Sequence, residues 1–170
     1  MLKQLFLLVL GLAISAAAFG QSRDWAVGAR GGEPSGLNVK KYLGGGHALD
    51  LTIGRWGYGW NYGRAYRGGE FRSSTRVTAN YLWQSTIPSI RIMDLYYGVG
   101  GQMGFSSYYN DNQGRTYRGF AAGLTGVLGV ELFIPDTPIS LFIDIGPYFE
   151  LVPAFAWTSF DSGGGIRINF

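Results

Sequence analysis

The chain has 170 residues, with 14 Lys and Arg against 11 Asp and Glu, a formal net charge of +3, one histidine and no cysteine. So mild a charge argues against nucleic acid as a partner. The missing thiols exclude a disulfide framework, thiolate metal sites and an acylated N-terminal cysteine, and one histidine leaves no multi-histidine metal centre. The 28 glycines follow no triplet period, which excludes collagen, and 11 Tyr, 11 Phe and 5 Trp are too many aromatics for a disordered chain.

In chain order, the first element is a leader. Lys3 is the only charge before Arg23, Leu5–Ile14 is an apolar run, and small residues follow at Ser15–Ala18 before Gly20. A basic start, a short apolar core and a small-x-small end make a secretory signal peptide; the run is too short to span a bilayer as a helix, which takes about 20 apolar residues. The expected division is a cleaved signal over residues 1–20, with Ala18 the alternative cleavage position, and one domain over residues 21–170.

Beyond the leader the 3.6-residue period of a helix is missing, and period-two alternation recurs between breaks rich in Gly, Pro, Asn and Asp. Eight strands are predicted: Asp24–Gly32, Gly36–Leu43, His47–Trp56, Glu70–Gln84, Arg91–Phe105, Tyr117–Phe133, Ile139–Val152 and Trp157–Phe170. In the fourth, Phe71, Ser73, Thr75, Val77, Ala79, Tyr81 and Trp83 share one face and Arg72, Ser74, Arg76, Thr78 and Asn80 the other. In the sixth, Phe120, Ala122, Leu124, Gly126, Leu128, Val130 and Leu132 oppose Gly119, Ala121, Gly123, Thr125, Val127, Gly129 and Glu131. In the seventh, Leu141, Ile143, Ile145, Pro147 and Phe149 oppose Asp144, Gly146, Tyr148 and Glu150. Pro147 has no amide hydrogen to give a ladder and requires a bulge or a distorted pairing.

Eight such strands predict a closed antiparallel up-and-down β-barrel. The less apolar face of the sixth strand is built of small residues and one charge. It suits a narrow interior rather than a water-facing surface, which would carry many long charged side chains. The apolar face therefore points out, as in a transmembrane barrel. Connection lengths agree in part: Gly44–Gly46, Ser85–Ile90 and Pro135–Pro138 are short, as periplasmic turns are, while Gly57–Gly69 and Ser106–Thr116 are long enough for outside loops. Glu33–Ser35 and Pro153–Ala156 are short where long loops are expected. Two pairs of outward aromatics, Phe71 with Trp83 and Phe160 with Phe170, have the spacing of two interface girdles.

With this strand count and alternation, the chain resembles the small eight-stranded outer-membrane barrels of the OmpA/OmpX type. Its last strand is similar to the C-terminal signature of such barrels, a glycine and alternating apolar residues closed by an aromatic: Gly165, Ile166, Ile168 and Phe170. The resemblance implies location in the cell outer membrane, contact with outer-membrane lipid and lipopolysaccharide, insertion by the barrel-assembly machinery, and a monomer.

Chemistry is sparse. His47, the sole histidine, falls beside a predicted periplasmic turn, away from outer-leaflet lipid, and no positioned nucleophile accompanies it. Gly28–Gly36 (GARGGEPSG) imitates a phosphate loop but leads into a strand, so no helix N-terminus is present to hold an anion; it reads as a hairpin. Asp111-Asn112 lacks calcium-loop spacing. No catalytic residue, metal or cofactor is assigned. Inward parity places Arg30, Lys40, Arg72, Arg76 and Arg167 against Asp50, Asp94, Glu131, Asp144 and Glu150 in the lumen. Buried charges must pair, which predicts a polar plug rather than a water path. The longer loops carry Tyr58, Trp60, Tyr62, Arg64, Arg67, Tyr108, Tyr109 and Arg115, residues suited to stacking on a surface glycan or docking a protein. The function these features fit is a structural and surface-interaction role in membrane integrity, adhesion or recognition; the alternatives are a narrow passive channel and an envelope-lipid-modifying enzyme. Phe170→Ala should lower the outer-membrane yield on cell fractionation and leave chain in the periplasm for proteolysis. An unchanged yield removes Phe170 from the assembly signal.

Overall fold

The structure, a computed structural model, describes residues 23–170; the expected signal peptide lies outside the described residues. The strands are β1 (Trp25–Glu33), β2 (Ser35–Gly44), β3 (His47–Trp56), β4 (Ala65–Tyr66), β5 (Gly69–Ile87), β6 (Ile90–Asn110), β7 (Arg115–Phe133), β8 (Ile139–Val152) and β9 (Thr158–Asn169). All but β4 close into one antiparallel ring, in the order β3-β2-β1-β9-β8-β7-β6-β5, with β5 pairing back on β3. The eight-stranded all-β barrel predicted from the alternation is the observed fold. The last strand closes on the first, Ile168 opposite Val27 and Ile166 opposite Ala29.

The two faces have inverted polarity. Along β8, Leu141, Ile143, Ile145 and Phe149 point out and are exposed, while Ser140, Asp144, Tyr148 and Glu150 point in and are buried. On β7 the same holds for Leu124 and Leu128 against Thr125 and Glu131. The largest fully buried side chains include Arg76, Arg167, Lys40, Glu131 and Glu150, and the exposed large apolar ones are mostly Leu, Ile, Val and Phe, drawn from every wall of the ring. An apolar exterior around a charged interior is stable where hydrocarbon, not water, wets the outside. On β6 the outward run from Leu95 to Phe105 covers ten residue steps, about 25 Å of height at a rise of about 3.3 Å and a tilt near 40°, the height of the apolar band of such barrels.

The ladder between β7 and β8 skips Gly126 and Val127 against Gly146 and Pro147. This is the distorted pairing that proline requires; on its other side Pro147 lies opposite Phe160. The GARGGEPSG segment is the β1–β2 hairpin, turning at Pro34.

Two expectations are corrected. Arg72 does not enter the lumen and Phe71 does not face out. β5 and β6 lose register between Phe71 and Ser73, which pair with the adjacent residues Tyr108 and Ser107. One extra residue in β5 reverses the side-chain parity above it, so Phe71 turns in and is fully buried, while Arg72 turns out to pair with Glu70 at 3.1 Å. The upper girdle position assigned to Phe71 is lost with it. Second, the expected loop Ser106–Thr116 is mostly strand. β6 and β7 run on to a turn at 111–114, held by rungs such as Tyr108 stacked on Tyr117 at 5.6 Å.

Leu128 is outward and half exposed, near mid-height. Leu128→Arg should cost about 2–4 kcal/mol in urea titrations of the barrel in lipid vesicles. Gly129→Ala should fail for a different reason: its new methyl would lie within 2.6 Å of Asp144 Cβ inside the barrel. A negligible cost for Leu128→Arg would reverse the two faces of β7.

Candidate functional site

The lumen is filled by charged groups that tie non-adjacent strands. At the end carrying the chain terminus, Lys40 of β2 reaches across the barrel to Glu131 of β7, with Nζ 2.6 Å from Oε2. Lys40 stands in register opposite Asp50 on the neighbouring strand, yet its partner comes from the far wall. Arg167 of β9 bridges Glu131 at 3.0 Å and Asp50 at 2.7 Å, and its Nε donates to Asn38 Oδ1 at 2.6 Å. Ser140 Oγ and Tyr42 OH also donate to Glu131 Oε1. The guanidinium of Arg167 lies 3.6 Å from the centre of the Phe142 ring, and Gly165 leaves room for that ring; a methyl at Gly165 would come within 2.8 Å of Phe142 Cε1.

One layer higher, Arg30 forms a two-pronged pair with Asp144 at 2.8 and 2.7 Å, and Tyr96 OH donates to the same carboxylate. Planar guanidinium and carboxylate match in this geometry, which makes the pair stronger and more directional than one hydrogen bond. Above it Arg76 donates to Ser74, Gln102 and Ser106, lies 3.5 Å from Glu150, and sits over the rings of Trp56 at 3.9 Å and Tyr148 at 4.6 Å. A cavity of about 30 Å³ remains between these layers, lined by Thr52, Thr78, Thr125, Asp144 and Asp161 among others, room for one or two waters.

The far end is closed by rings. Trp56, Tyr66, Phe71 and Tyr148 are buried together, with Tyr108 and Trp157 packed against them. Tyr66 belongs to β4, a short strand within the β3–β5 loop that the alternation did not reveal, and its OH donates to Glu150 at 2.6 Å. That loop folds across the short β1–β2 hairpin. Glu33, buried at the hairpin tip, accepts from the Gly59 amide and Asn61 Nδ2. Ser159 of β9 donates to Asn61, Trp60 Nε1 donates to Ser162, and Trp157 Nε1 donates to the Ala65 carbonyl.

Among the sequence-assigned lumen residues, Arg30, Lys40, Arg76, Arg167, Asp50, Glu131, Asp144 and Glu150 converge in this network. Asp94 faces in at the rim and takes its hydrogen bond from Thr86, not from a cation. Asp161 and Glu33 were missed. Asp161 accepts from Trp56 Nε1 at 2.5 Å and Gln102 Nε2 at 3.1 Å; inward parity of the last strand could have found it. Nothing local marks Glu33, whose partners come from a loop. Among the described residues only Gln84 Oε1 and Asn110 Oδ1 are buried side-chain polar atoms without a partner, so the charged interior is almost fully hydrogen-bonded.

The assigned loop residues gather at the closed end, several already engaged. Tyr62 OH accepts from Arg72 at 2.8 Å, and the Arg72 guanidinium also lies 5.4 Å from the Tyr109 ring. Arg64 stacks on Trp157 and Arg67 on Tyr108. Tyr58, Trp60 and Tyr62 are more than half exposed, and Arg115 at the start of β7 is exposed. His47 lies at the opposite end, its Nδ1 2.9 Å from Tyr81 OH. Among the described residues no group of three or more His, Asp or Glu could hold a metal ion.

No protein-family model matches the chain, and no curated protein matches it in sequence. Solved structures do share its fold. The N-terminal β-barrel domain of Pseudomonas aeruginosa OprF superposes with a TM-score of 0.64 at 12% identity, over 88% of this chain and 100% of that one. Neisserial surface protein A (NspA) does so with 0.53 at 12% identity, over 86% and 93%. The eight-stranded barrel fold of outer-membrane proteins is thus held by a sequence that shares about one residue in eight with them.

Glu131 anchors two cations, so Glu131→Ala should destabilise the barrel by about 3–5 kcal/mol by leaving buried charge unpaired. Arg72→Ala, outside the lumen, should be nearly silent. Urea midpoints of both variants in vesicles test this; equal effects would place Arg72 back inside.

Proposed function

We propose that this chain is an integral outer-membrane barrel with a structural and surface-interaction role, its lumen closed to solutes and its loop end turned to the outside. The observation that carries the reading is the cross-braced lumen beneath an aromatic seal, enclosed by an apolar exterior about as tall as a bilayer's hydrocarbon band. A carrier of solutes needs a continuous wet path, and the ion pairs and rings fill the space one would occupy. The location is supported by the fold shared with the OprF barrel domain and NspA and by the inverted polarity. We read the protein as non-enzymatic: its histidine has a tyrosine partner at the rim away from the loops, and the inward carboxylates are held in structural pairs.

The interaction role is supported by the exposed Tyr58, Trp60 and Tyr62, set beside Arg64 and Arg67 on a loop braced by Glu33 and Asn61. A braced loop loses little conformational entropy on binding, and aromatic faces with guanidinium edges suit a glycan or a polar protein surface. The Gly165–Phe170 strand fits recognition by the assembly machinery, with the chain exported by its signal peptide.

The purified protein should give no steady ohmic current in planar bilayers, and its unheated form should run faster than the boiled form in gels of the outer-membrane fraction. A stable conductance would replace this reading with the channel. Trp60→Ala combined with Tyr62→Ala should reduce adhesion of producing cells to glycan-coated surfaces without altering the gel shift.

A further inference from the structure

One concavity lies on the outer wall rather than in the lumen, where the apolar band ends on the loop side. It has a volume of about 290 Å³ and is lined by Arg55, Ser73, Thr75, Phe105, Ser107 and Arg118, with the buried Ser74 at its back. The β-ladders place these side chains next to one another. Arg55 of β3 stands opposite Thr75 of β5, which stands opposite Phe105 of β6. One rung higher, Ser73 stands opposite Ser107, and Ser107 opposite Arg118 of β7. Apart from Ser74 these are outward positions: Ile53, Phe105 and Phe120, on the same faces one or two rungs below, are exposed apolar residues. Ser73 keeps the outward parity of Thr75 and Val77, and the bulge at Arg72 follows directly above it.

Each strand changes character at this level. Leu49, Leu51 and Ile53 end at Arg55 on β3; Leu95 to Phe105 ends at Ser107 on β6; Leu132 to Phe120 ends at Arg118 on β7. The rim is the one bearing the β3–β5 loop, the longest connection, which marks the outside end of such a barrel. Among the described residues neither Arg55 nor Arg118 has a carboxylate partner, and no acid lines the cavity. Arg55 is steadied instead by the Tyr58 ring, 4.5 Å from its guanidinium carbon. Ser73 and Ser107 are hydrogen-bonded to each other at 3.1 Å, and Thr75 is exposed beside them.

We infer that this pocket binds the phosphate of an outer-leaflet lipid, with Arg55 and Arg118 clamping the anion from its two sides and the Thr75 hydroxyl donating to it. Two guanidinium forks around hydroxyl donors are the chemistry of phosphate recognition. The floor selects a lipid over a free anion. Phe105 and Phe120 meet edge to face directly below, at 6.1 Å, and both are at least half exposed. Acyl chains hanging from a clamped headgroup would cover them, whereas an ion in water gains nothing from them. The inference rests on the outer-membrane reading and is independent of what the loop aromatics bind.

The test uses the chain purified from the outer membrane in neutral detergent and analysed by native mass spectrometry with an equimolar mixture of dipalmitoyl phosphatidic acid and dipalmitoylglycerol. The wild-type barrel should retain the phosphate lipid in preference by at least about tenfold, the factor supplied by one charge-assisted hydrogen bond. R55Q/R118Q should bring the two lipids to parity, the single variants R55Q and R118Q should lie between, and R91Q, on an exposed arginine at the opposite rim, should match wild type. Millimolar inorganic phosphate should not displace the lipid. Equal retention of both lipids by the wild type, wild-type preference in R55Q/R118Q, or displacement by inorganic phosphate would each overturn the proposal. The heat-dependent gel shift, run on every variant, shows that the barrel is folded; its absence from the wild-type outer-membrane fraction would count against the membrane reading instead.

Discussion

The burial of Lys40, Arg30, Arg76 and Arg167 in a space too narrow for bulk water is the constraint on which the rest of the barrel depends. A charge moved from water to a low-dielectric interior loses several kcal/mol of hydration, and only close, well-oriented partners restore it. Every one of these cations finds a carboxylate on a strand that is not its neighbour. Ladder hydrogen bonds hold neighbouring strands together but say nothing about the far wall. The ion pairs do: Lys40 to Glu131 joins opposite sides of the ring, and Arg167 joins β9 to both β3 and β7. They fix the cross-section and strand stagger as they fill it, because a slip of one residue would turn every inward charge outward.

The upper half uses a different filler for the same purpose. There the network thins to Arg76, Glu150 and Asp161, and rings replace charges. Trp56 and Tyr148 cover the guanidinium of Arg76 while their own polar atoms bond Asp161 and Glu150. Such amphipathic rings can face a cation, a carboxylate and an apolar neighbour at once. The β3–β5 loop completes the seal with Tyr66. The buried Glu33 explains why that loop lies down rather than standing free: two donors from the loop satisfy a carboxylate that would otherwise be buried without partners. Bracing and sealing are therefore one arrangement, and the exposed face of the loop is rigid because its underside is part of the plug.

The outer wall carries its own boundary. Apolar side chains end at nearly the same height on β3, β6 and β7, and arginine or hydroxyl residues begin there. A bilayer changes over the same few ångströms from hydrocarbon to phosphate and glycerol. Arginine at that depth keeps its stem against apolar surface and its head among polar groups. Arg72, released from the lumen by the bulge, has Glu70 and Tyr62; Arg55 and Arg118, set along the wall from it, stand on the outer face with no ion-pair partner among the described residues.

The sequence by itself determined the fold class, the ring of eight strands, the polarity of most faces and the pairing defect at Pro147. These depend on a period of two and on turn residues, properties that neighbours in the chain carry locally. It also picked out most of the inward charges, because parity within an unbroken strand is a local count. Only the tertiary structure decided where that count fails and who pairs with whom. The bulge at Arg72 answers to a register with β6 and to Phe71 being drawn into the ring cluster, neither visible within the strand. The choice of Glu131 over Asp50 for Lys40 is set by strand stagger, a property of the closed ring. Glu33, β4 and the Arg55–Arg118 pocket join residues from separate elements, and their proximity exists only once the barrel has closed.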